Sequence, residues 1–538
     1  MRTIYYNGKV YTGNDELQQA FVVENDVFTY AGTNTQALKM ADSGDKLVDL
    51  REDFVCPGFN DSHMHLMSFG NTLKTADLAS HTYSLDEMVE YFAEFARKNC
   101  SESAWIVGRG WNQDYFSDAD RMPDRFDLDK VSVEKPVIAV RCCGHALAIN
   151  SKAIELLGVT ADTPQPTGGS IGIKNGEPDG RFFDNAMNMV YAAIPAPGLK
   201  EVKDMIRAGC AALNAYGVTS CQSDDFSSFA NLDWRTVKQA YSELENDGEL
   251  SVRVYEQCNF ADPESLKEFI KEGNVTGAGS YFYKTGPLKL LGDGALGART
   301  ALLSRPYADA PDTCGLPVFS EDTISEMVGI AHDAGMQCAI HAIGDKCLDW
   351  VLNAYEKALS RFPRKDHRHG VVHCQITRPD QLNRMADMEL HIYAQTIFID
   401  YDSRIVRERV GDKLAESSYN WKTLMHRSLS VSNGTDSPVE RPDALRGIQC
   451  AVTRRSIGSN DTPYLPSQAF SVKEALDSYT INGAEGSFEE GVKGTIKAGM
   501  LADFVVLEEN PFECDVESIH SINVKATYLG GNCVYGEI

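Results

Sequence analysis

The chain has 538 residues, of which 43% are hydrophobic and 24% are charged, as in an ordinary globular protein. Its formal net charge of -26 disfavours binding to nucleic acid or to an anionic membrane, because both need basic patches. The first residues alternate like a strand and show neither a signal peptide nor a membrane-spanning segment. The 14 cysteines follow no framework spacing, so we predict reduced thiols in a cytoplasmic protein.

Both ends of the chain have the character of short strands joined by tight turns. Residues 1–56 carry turn signals at Asn7-Gly8 and Thr12-Gly13-Asn14, and residues 489–538 contain the apolar run 504–507. Neither piece can bury a core alone. We therefore predict one small β-sandwich built from both chain ends.

The middle of the chain, residues 57–488, alternates apolar strands with amphipathic helices, the pattern of a parallel α/β fold. The strand candidates lie near residues 54–60, 218–222, 252–257, 287–291, 337–341, 370–373, 391–395 and 430–435. Eight strands with intervening helices predict a TIM-like (β/α)8 barrel, with its active site at the C-terminal ends of the strands.

A long connection separates the first two strand candidates. It spans about 150 residues, and a connection of that length must carry its own structure. We predict an inserted subdomain over about residues 100–198 and expect it to cover the barrel mouth.

Metal-ligand residues stand at the ends of several predicted strands. His63 and His65 are two residues apart, so in a strand both imidazoles point to the same face and can approach one ion. His341, His373 and Asp436 end the fifth, sixth and eighth candidates. A lone His-x-His pair is weak, but the ordered set predicts a site for zinc or a similar divalent cation.

Five motifs together make the chain resemble the amidohydrolase superfamily, and within it the amidohydrolase family 3 branch that includes N-substituted formamide deformylases. The motifs are residues 57–65, 288–301, 341–345, 434–438 and 494–503. The resemblance implies a set of ligands for one or two divalent metal ions, most simply Zn²⁺. These ligands are His63, His65, His341, His373 and Asp436. The resemblance also implies that Asp436 is the general base, which takes a proton from the nucleophilic water and delivers it to the leaving nitrogen.

The resemblance implies a further ligand at Lys289. In many binuclear members of the superfamily, a lysine at the end of the fourth strand is carboxylated by CO₂, and this N6-carboxylysine bridges two metals. An unpaired ammonium is costly to bury in the apolar run around Lys289, and burial favours the neutral amine that reacts with CO₂. The alternative is an unmodified lysine that pairs with Asp293 or with a substrate carboxylate.

Substrate-pocket candidates lie mainly in the predicted insert. Trp111 and Asp114 are such candidates, although packing inside the insert is the favoured role of Trp111. His145 either polarises the substrate carbonyl or holds the insert in place. Arg299 is a candidate for binding a substrate anion, with loop anchoring the favoured interpretation.

The leading prediction is a metal-dependent amidohydrolase that cleaves a carbon–nitrogen bond, other than a peptide bond, in a small organic substrate. A deaminase or a lactonase/esterase could use the same site, and ammonia release would distinguish deamination. A non-catalytic scaffold with the same fold is disfavoured by the complete ligand set. A homodimer is expected from the resemblance alone.

Overall fold

The computed structural model describes residues 2–99, 104–142, 146–166, 169–229 and 232–538. Its strands are, in chain order, β1 (Arg2–Tyr6), β2 (Lys9–Val10), β3 (Ala20–Glu24), β4 (Val27–Gly32), β5 (Lys46–Asp49), β6 (Phe54–Pro57), β7 (Phe59–Met64), β8 (Ala76–Asp77), β9 (Ile106–Trp111), β10 (Val137–Arg141), β11 (Ala146–Ile149), β12 (Gly169–Lys174), β13 (Glu177–Asp184), β14 (Val218–Ser223), β15 (Arg253–Asn259), β16 (Tyr283–Leu291), β17 (Cys338–Ala342), β18 (Gly370–His373), β19 (His391–Ala394), β20 (Val431–Asn433), β21 (Phe504–Leu507), β22 (Val524–Leu529) and β23 (Asn532–Gly536).

The α-helices are α1 (Asn34–Lys39), α2 (Leu66–Thr72), α3 (Leu85–Asn99), α4 (Arg125–Asp129), α5 (Ser151–Leu157), α6 (Met187–Ala193), α7 (Leu199–Ala215), α8 (Trp234–Asn246), α9 (Pro263–Lys271), α10 (Glu321–Asp333), α11 (Asp345–Arg361), α12 (Pro379–Asp387), α13 (Ile399–Asp402), α14 (Val406–Val410), α15 (Asp412–Ala415), α16 (Trp421–Met425), α17 (Ala444–Thr453), α18 (Val472–Ser478) and α19 (Ile481–Gly486). Among the described residues, none of these helices combines the length and the apolar character needed to cross a membrane.

Eight parallel strands form the predicted barrel, in the order β7, β14, β15, β16, β17, β18, β19, β20. The barrel is nearly closed, because the segment after β20 returns to β7, where Asp436 N–H donates to His63 O at 2.8 Å. The TIM-like barrel is therefore confirmed, and the C-terminal ends of its strands meet at one end.

The first strand candidate, residues 54–60, divides between two sheets. β6 pairs with β2 and β21 in a sheet made by the chain ends, whereas β7 begins the barrel. The change occurs at Gly58, whose N–H donates to Asp503 O, while the next residue donates to Gly217 O. A Cβ atom at Gly58 would collide with the side chain of Thr219, so only glycine fits this crossing.

The chain ends form a four-stranded sheet, β4-β3-β1-β5, and a five-stranded sheet, β2-β6-β21-β22-β23. Aromatic side chains from both sheets share one core. Tyr5 stacks on Phe21 with ring centroids 4.6 Å apart, Phe504 stacks on Tyr528 at 4.4 Å, and the Phe21 and Phe504 rings meet edge to face at 4.9 Å. These contacts join residues from both ends of the sequence in one hydrophobic cluster.

A second compact unit comprises residues 69–205 and 229–232, and the remainder of the chain forms the first unit. The second unit contains the six-stranded sheet β12-β13-β11-β10-β9-β8. It begins earlier than the predicted insert of residues 100–198, because α3 belongs to it. The apolar side of α3, including Met88 and Phe92, packs into one cluster with Ile106 and Val137 of the sheet.

Candidate metal centre

Barrel strands place the predicted ligands at one end of the barrel. His63 lies near the end of β7, His373 ends β18, and Asp436 follows β20 by three residues. Lys289 lies on β16 and His341 on β17, each near the C-terminal end of its strand. This is the end of a TIM barrel at which catalytic residues gather.

The tightest group consists of His63, His373 and Asp436, whose ligand atoms all lie within 4.8 Å of one another and are buried. Asp436 Oδ1 is 3.4 Å from His63 Nε2 and 3.2 Å from His65 Nε2. The ring of His341 lies 4.5 Å from the ring of His373, centroid to centroid. The structure therefore brings all five predicted histidine and aspartate ligands together.

The position of His341 differs from that of the other three imidazoles. Its Nε2 atom is 3.2 Å from Asp293 Oδ1 and 3.2 Å from Gly294 O, so it faces the loop after β16. The ring of His341 thus packs against the ring of His373, but its Nε2 atom does not point at Asp436.

Outer hydrogen bonds fix the orientation of three imidazoles. His63 Nδ1 lies 2.7 Å from Gln257 Oε1, and His373 Nδ1 lies 2.7 Å from Gln395 Oε1. His65 Nδ1 lies 3.0 Å from the backbone oxygen of Asp224. Because all three partners are acceptors, each Nδ1 carries a proton. On His63 and His373 this leaves Nε2 as a lone-pair donor, whereas His65 Nε2 donates to Asp436 Oδ1. This is the arrangement found around histidines that bind metals.

The electrostatic environment keeps Asp436 ionised. Burial by itself would raise the pKa of Asp436, but the hydrogen bond from His65 and the neighbouring imidazoles lower it below its usual range. Burial likewise lowers the pKa of His65, while the Asp436 hydrogen bond and the charge of Asp224 raise it, with a net result of about 9. A carboxylate among imidazoles is a donor set that suits Zn²⁺.

The loop that carries Asp436 is fixed to the first strand. Asp61 accepts hydrogen bonds from both the backbone and the hydroxyl of Thr435, and burial raises the pKa of Asp61 to about 7. Asp436 has a φ of +57° and His373 has a φ of +71°, both in the left-handed region that non-glycine residues seldom adopt. Strain of this kind concentrates at functional sites, where surrounding contacts hold the backbone.

Lys289 is completely buried beside this group. Within the part of the chain that the structure describes, its Nζ atom has no hydrogen-bond partner, and it lies 3.8 Å from Asp224 Oδ2. Burial lowers the pKa of Lys289, an effect that the charges of Asp224 and Asp436 oppose. An unsatisfied buried amine next to three oriented imidazoles and a carboxylate is a donor set that fits a divalent metal.

The expected alternative partner of Lys289 was Asp293, and the structure places Asp293 differently. Its two oxygens accept backbone N–H groups from Leu302, Ile343 and Gly344. Asp293 therefore shapes the loops after β16 and β17, and Lys289 faces Asp224 instead.

The predicted substrate residues have other partners. Arg299 binds Asp309 at 2.6 Å, and Asp309 also binds Arg409. In the second unit, Trp111 is buried in a hydrophobic cluster and donates its indole N–H to Ala139 O at 2.9 Å. Asp114 is exposed and pairs with Arg141 at 3.1 Å. His145 lies outside the described residues.

Three residues of the centre have no counterpart in the sequence prediction: Gln257, Gln395 and Asp224. Gln257 is a polar residue within the buried strand β15, and Gln395 directly follows β19. The available signal was a glutamine in the second half of one strand and directly after the end of another. It does not reveal which face the residue occupies or which histidine it meets.

Comparison with known proteins extends over nearly the whole chain. The family described as "Amidohydrolase family" matches residues 46–535. The protein YtcJ of Bacillus subtilis (strain 168) is 32% identical over 542 residues, covering 99% of each chain. The N-substituted formamide deformylase of Arthrobacter pascens is 24% identical over 537 residues, covering 98% of this chain and 96% of the relative.

A solved structure is also similar to this chain over nearly its whole length. The crystal structure of a metal-dependent hydrolase from Pyrococcus furiosus matches with a TM-score of 0.80 and 30% sequence identity. The match covers 95% of this chain and all of that one, so the likeness is not confined to the barrel.

Proposed function

The chain belongs to the amidohydrolase family, and from this premise we propose that it hydrolyses the amide-type carbon–nitrogen bond of a small organic substrate. Membership of the family makes it a metal-dependent hydrolase on a TIM-like barrel. The observation that carries the proposal is the convergence of His63 and His65 on Asp436, with the outer nitrogen of each ring already hydrogen-bonded.

We assign the metal to one or two Zn²⁺ ions. The residues that would hold it are His63, His65, His341, His373 and Asp436. When bound, the metal polarises the substrate carbonyl and lowers the pKa of water. Gln257 and Gln395 support this assignment, since an acceptor at Nδ1 leaves the Nε2 lone pair of each ring available, while burial lowers the pKa of His63 and of His373.

Asp436 is the general base and acid in this proposal. Its Oδ1 atom faces both imidazoles of the His63–His65 pair, which leaves Oδ2 to accept the proton of the attacking water. The same oxygen then delivers that proton to the leaving nitrogen, which must be protonated to depart as an amine. The lowered pKa of Asp436 supports the first step, because the carboxylate is ionised when water arrives.

Lys289 is carboxylated by CO₂ in this proposal, and the resulting N6-carboxylysine would support a second metal ion. The unsatisfied Nζ atom supports this, since a carboxylated lysine would offer oxygens to a cation, whereas the unmodified amine has no partner among the described residues. His145 is proposed to polarise the substrate carbonyl. Trp111 and Arg299 act structurally in this proposal, in keeping with their partners, and Asp114 is a candidate for binding substrate.

We also propose how the chain divides into domains. Residues 1–56 and 489–538 form one small β-sandwich, which the shared aromatic core supports. In the sequence, the barrel domain of residues 57–488, with its insert, lies between these two pieces. We propose a cytoplasmic homodimer that acts on small molecules and binds neither nucleic acid nor membrane.

The test joins metal analysis of the natively purified enzyme to a screen of N-acyl and N-formyl amines, read by release of the free amine. Asp436→Asn is expected to retain metal and to lose about 100- to 10,000-fold in kcat. The matched control is Asp412→Asn, which alters an exposed acid that pairs with Arg407.

Other outcomes would replace this function. Release of ammonia from ring substrates would indicate a deaminase, and turnover of esters or lactones without amides would indicate a lactonase/esterase. A folded enzyme without metal would indicate a scaffold, and full activity of Asp436→Asn would refute the general-base assignment.

A further inference from the structure

A half-buried carboxylate lies on the loop after β19 without a positively charged partner. Asp402, the last residue of α13, accepts hydrogen bonds at Oδ2 from Gln375 Nε2 and from Tyr419 OH, each at 2.8 Å. Across the described ranges, the groups that act on Asp402 are Tyr419 and Gln375, and no lysine or arginine is among them. Burial raises the pKa of Asp402 to about 6, although both hydrogen bonds lower it. A carboxylate that is withdrawn from water and unpaired is costly, so its second oxygen is available to a partner.

Gln375 adds a second unsatisfied acceptor at the same place. The residue is 1% exposed, and its Oε1 atom has no hydrogen-bond partner among the residues that the structure describes. The bond from Nε2 to Asp402 fixes the orientation of the amide, because the reverse orientation would set Oε1 against a carboxylate oxygen. Since Oε1 and Nε2 share one carbon, this unsatisfied acceptor belongs to the same amide group that bonds the Asp402 carboxylate. Asp402 and Gln375 thus each offer a hydrogen-bond acceptor that lacks a donor.

These acceptors are close to the proposed metal centre. Gln375 follows His373 by two residues, and the Phe398 ring stacks beside the His373 ring at 5.9 Å with an interplanar angle of 14°. Helix α13 begins directly after Phe398. Loops after barrel strands carry substrate specificity in this fold. The acceptor pair is thus part of the barrel face at which substrate would bind.

We propose that Asp402 and the Oε1 atom of Gln375 form a subsite for an ammonium group of the substrate. The inference rests on the proposed function and narrows its substrate class to amides that carry a second, protonated amine, such as N-acyl diamines. An ammonium group offers three donors and one positive charge, which satisfies both acceptors and neutralises the carboxylate. The net charge of -26 favours the approach of such a cation over that of an anion.

The test uses two substrates of nearly the same shape, N-acetyl-1,4-diaminobutane and N-acetylpentylamine, in which a methyl group replaces the ammonium. The wild-type enzyme is expected to have the lower KM for the diamine derivative. Asp402→Asn should raise that KM about 10- to 100-fold, which is the cost of losing a hydrogen bond to a charged group. It should leave the KM for N-acetylpentylamine and the metal content unchanged. Asp412→Asn is the matched control.

A second readout separates this inference from the proposed function. Calorimetric binding of 1,4-diaminobutane, the product amine, needs no turnover and should weaken in Asp402→Asn and in Gln375→Leu. Binding that depends on Asp402 without hydrolysis of any amide would uphold the subsite and refute the proposed function. Amide hydrolysis with no preference for the ammonium substrate, or an equal loss on both substrates in Asp402→Asn, would overturn the subsite. If Asp402→Asn does not fold, Gln375→Leu decides by the same comparison.

Discussion

At the scale of the residue, Lys289 has the most demanding environment in the proposed centre. Its amine is enclosed by the barrel with a single carboxylate 3.8 Å away, too far for a hydrogen bond. Converting the amine to a carbamate replaces an unsatisfied donor with two oxygens that can bind cations. The negative charge then created beside Asp224 requires metal for its stability, so carboxylation and metal binding should occur together.

We expect the holoenzyme, equilibrated with ¹³C-bicarbonate, to show a carbamate carbon signal by NMR and an intact mass increased by one CO₂ that acid removes. Lys289→Met should abolish both. Lys284→Met should retain them, because Lys284 on the same strand pairs with Glu489 at 2.7 Å. A signal that persists in Lys289→Met, or that is missing from the metal-loaded wild type, would contradict the assignment.

The sequence pointed to the histidines and Asp436 because His341 and His373 end apolar runs, while the His63–His65 pair and Asp436 stand just beyond predicted strands, so strand order defines their positions. It was insufficient for Gln257 and Gln395. Their role depends on strand register and on which neighbouring histidine each amide meets, and a single sequence contains no signal for either. The same limit explains why Asp293 rather than Asp224 was expected beside Lys289, since three backbone N–H groups that engage Asp293 become neighbours only after folding.

At the scale of the element, four buried histidines lie in and around the strand starts, away from the proposed metal ligands. Cys338 N–H donates to His369 Nδ1 at 3.0 Å, so the proton of His369 is on Nε2 and is donated to His332 Nδ1 at 2.8 Å. His369 N–H in turn donates to His367 Nδ1 at 2.9 Å. These bonds require neutral imidazoles, and burial lowers the pKa of His367 and of His369.

His391, the first residue of β19, gives the measurable case. It bonds Ser432 Oγ at 2.8 Å, and burial lowers its pKa to about 3. Because the unfolded chain binds a proton near the ordinary pKa of about 6.5 and the folded chain does not, stability is lost as pH falls below that value. We expect His391 to account for about 2 kcal/mol of the free energy of unfolding lost between pH 7 and pH 5.

The measurement is urea unfolding at both pH values. His391→Gln should show a smaller loss than wild type, whereas His426→Gln should match wild type, because His426 is 65% exposed. The proposed metal ligands are unchanged in all three proteins, so their protonation cancels in the comparison. An identical pH dependence in His391→Gln and wild type would refute this account.

At the scale of the whole molecule, the strand-like character of both chain ends was readable from the sequence, whereas the way in which they join the barrel was not. Arg253, the first residue of β15, binds Asp503 just before β21 through two contacts of 2.7 and 2.9 Å. Both side chains are 4% exposed. Asp503 Oδ1 also accepts the N–H of Gly530 at 2.8 Å, in the turn between β22 and β23. A contact between residues 250 positions apart depends on the complete topology.

This ion pair provides a test of how far the chain ends stabilise the barrel. Arg253→Met should leave Asp503 charged, buried and without its cation, at a cost of about 3–5 kcal/mol in the free energy of unfolding. Adding Asp503→Asn should recover part of that loss, since the amide keeps an acceptor for Gly530 N–H without the stranded charge. Glu264→Gln is the control, because it alters an exposed ion pair with Lys267, and such pairs contribute less than about 1 kcal/mol. Urea unfolding that gives Arg253→Met no greater loss than Glu264→Gln would show that the chain ends are held to the barrel by apolar packing alone.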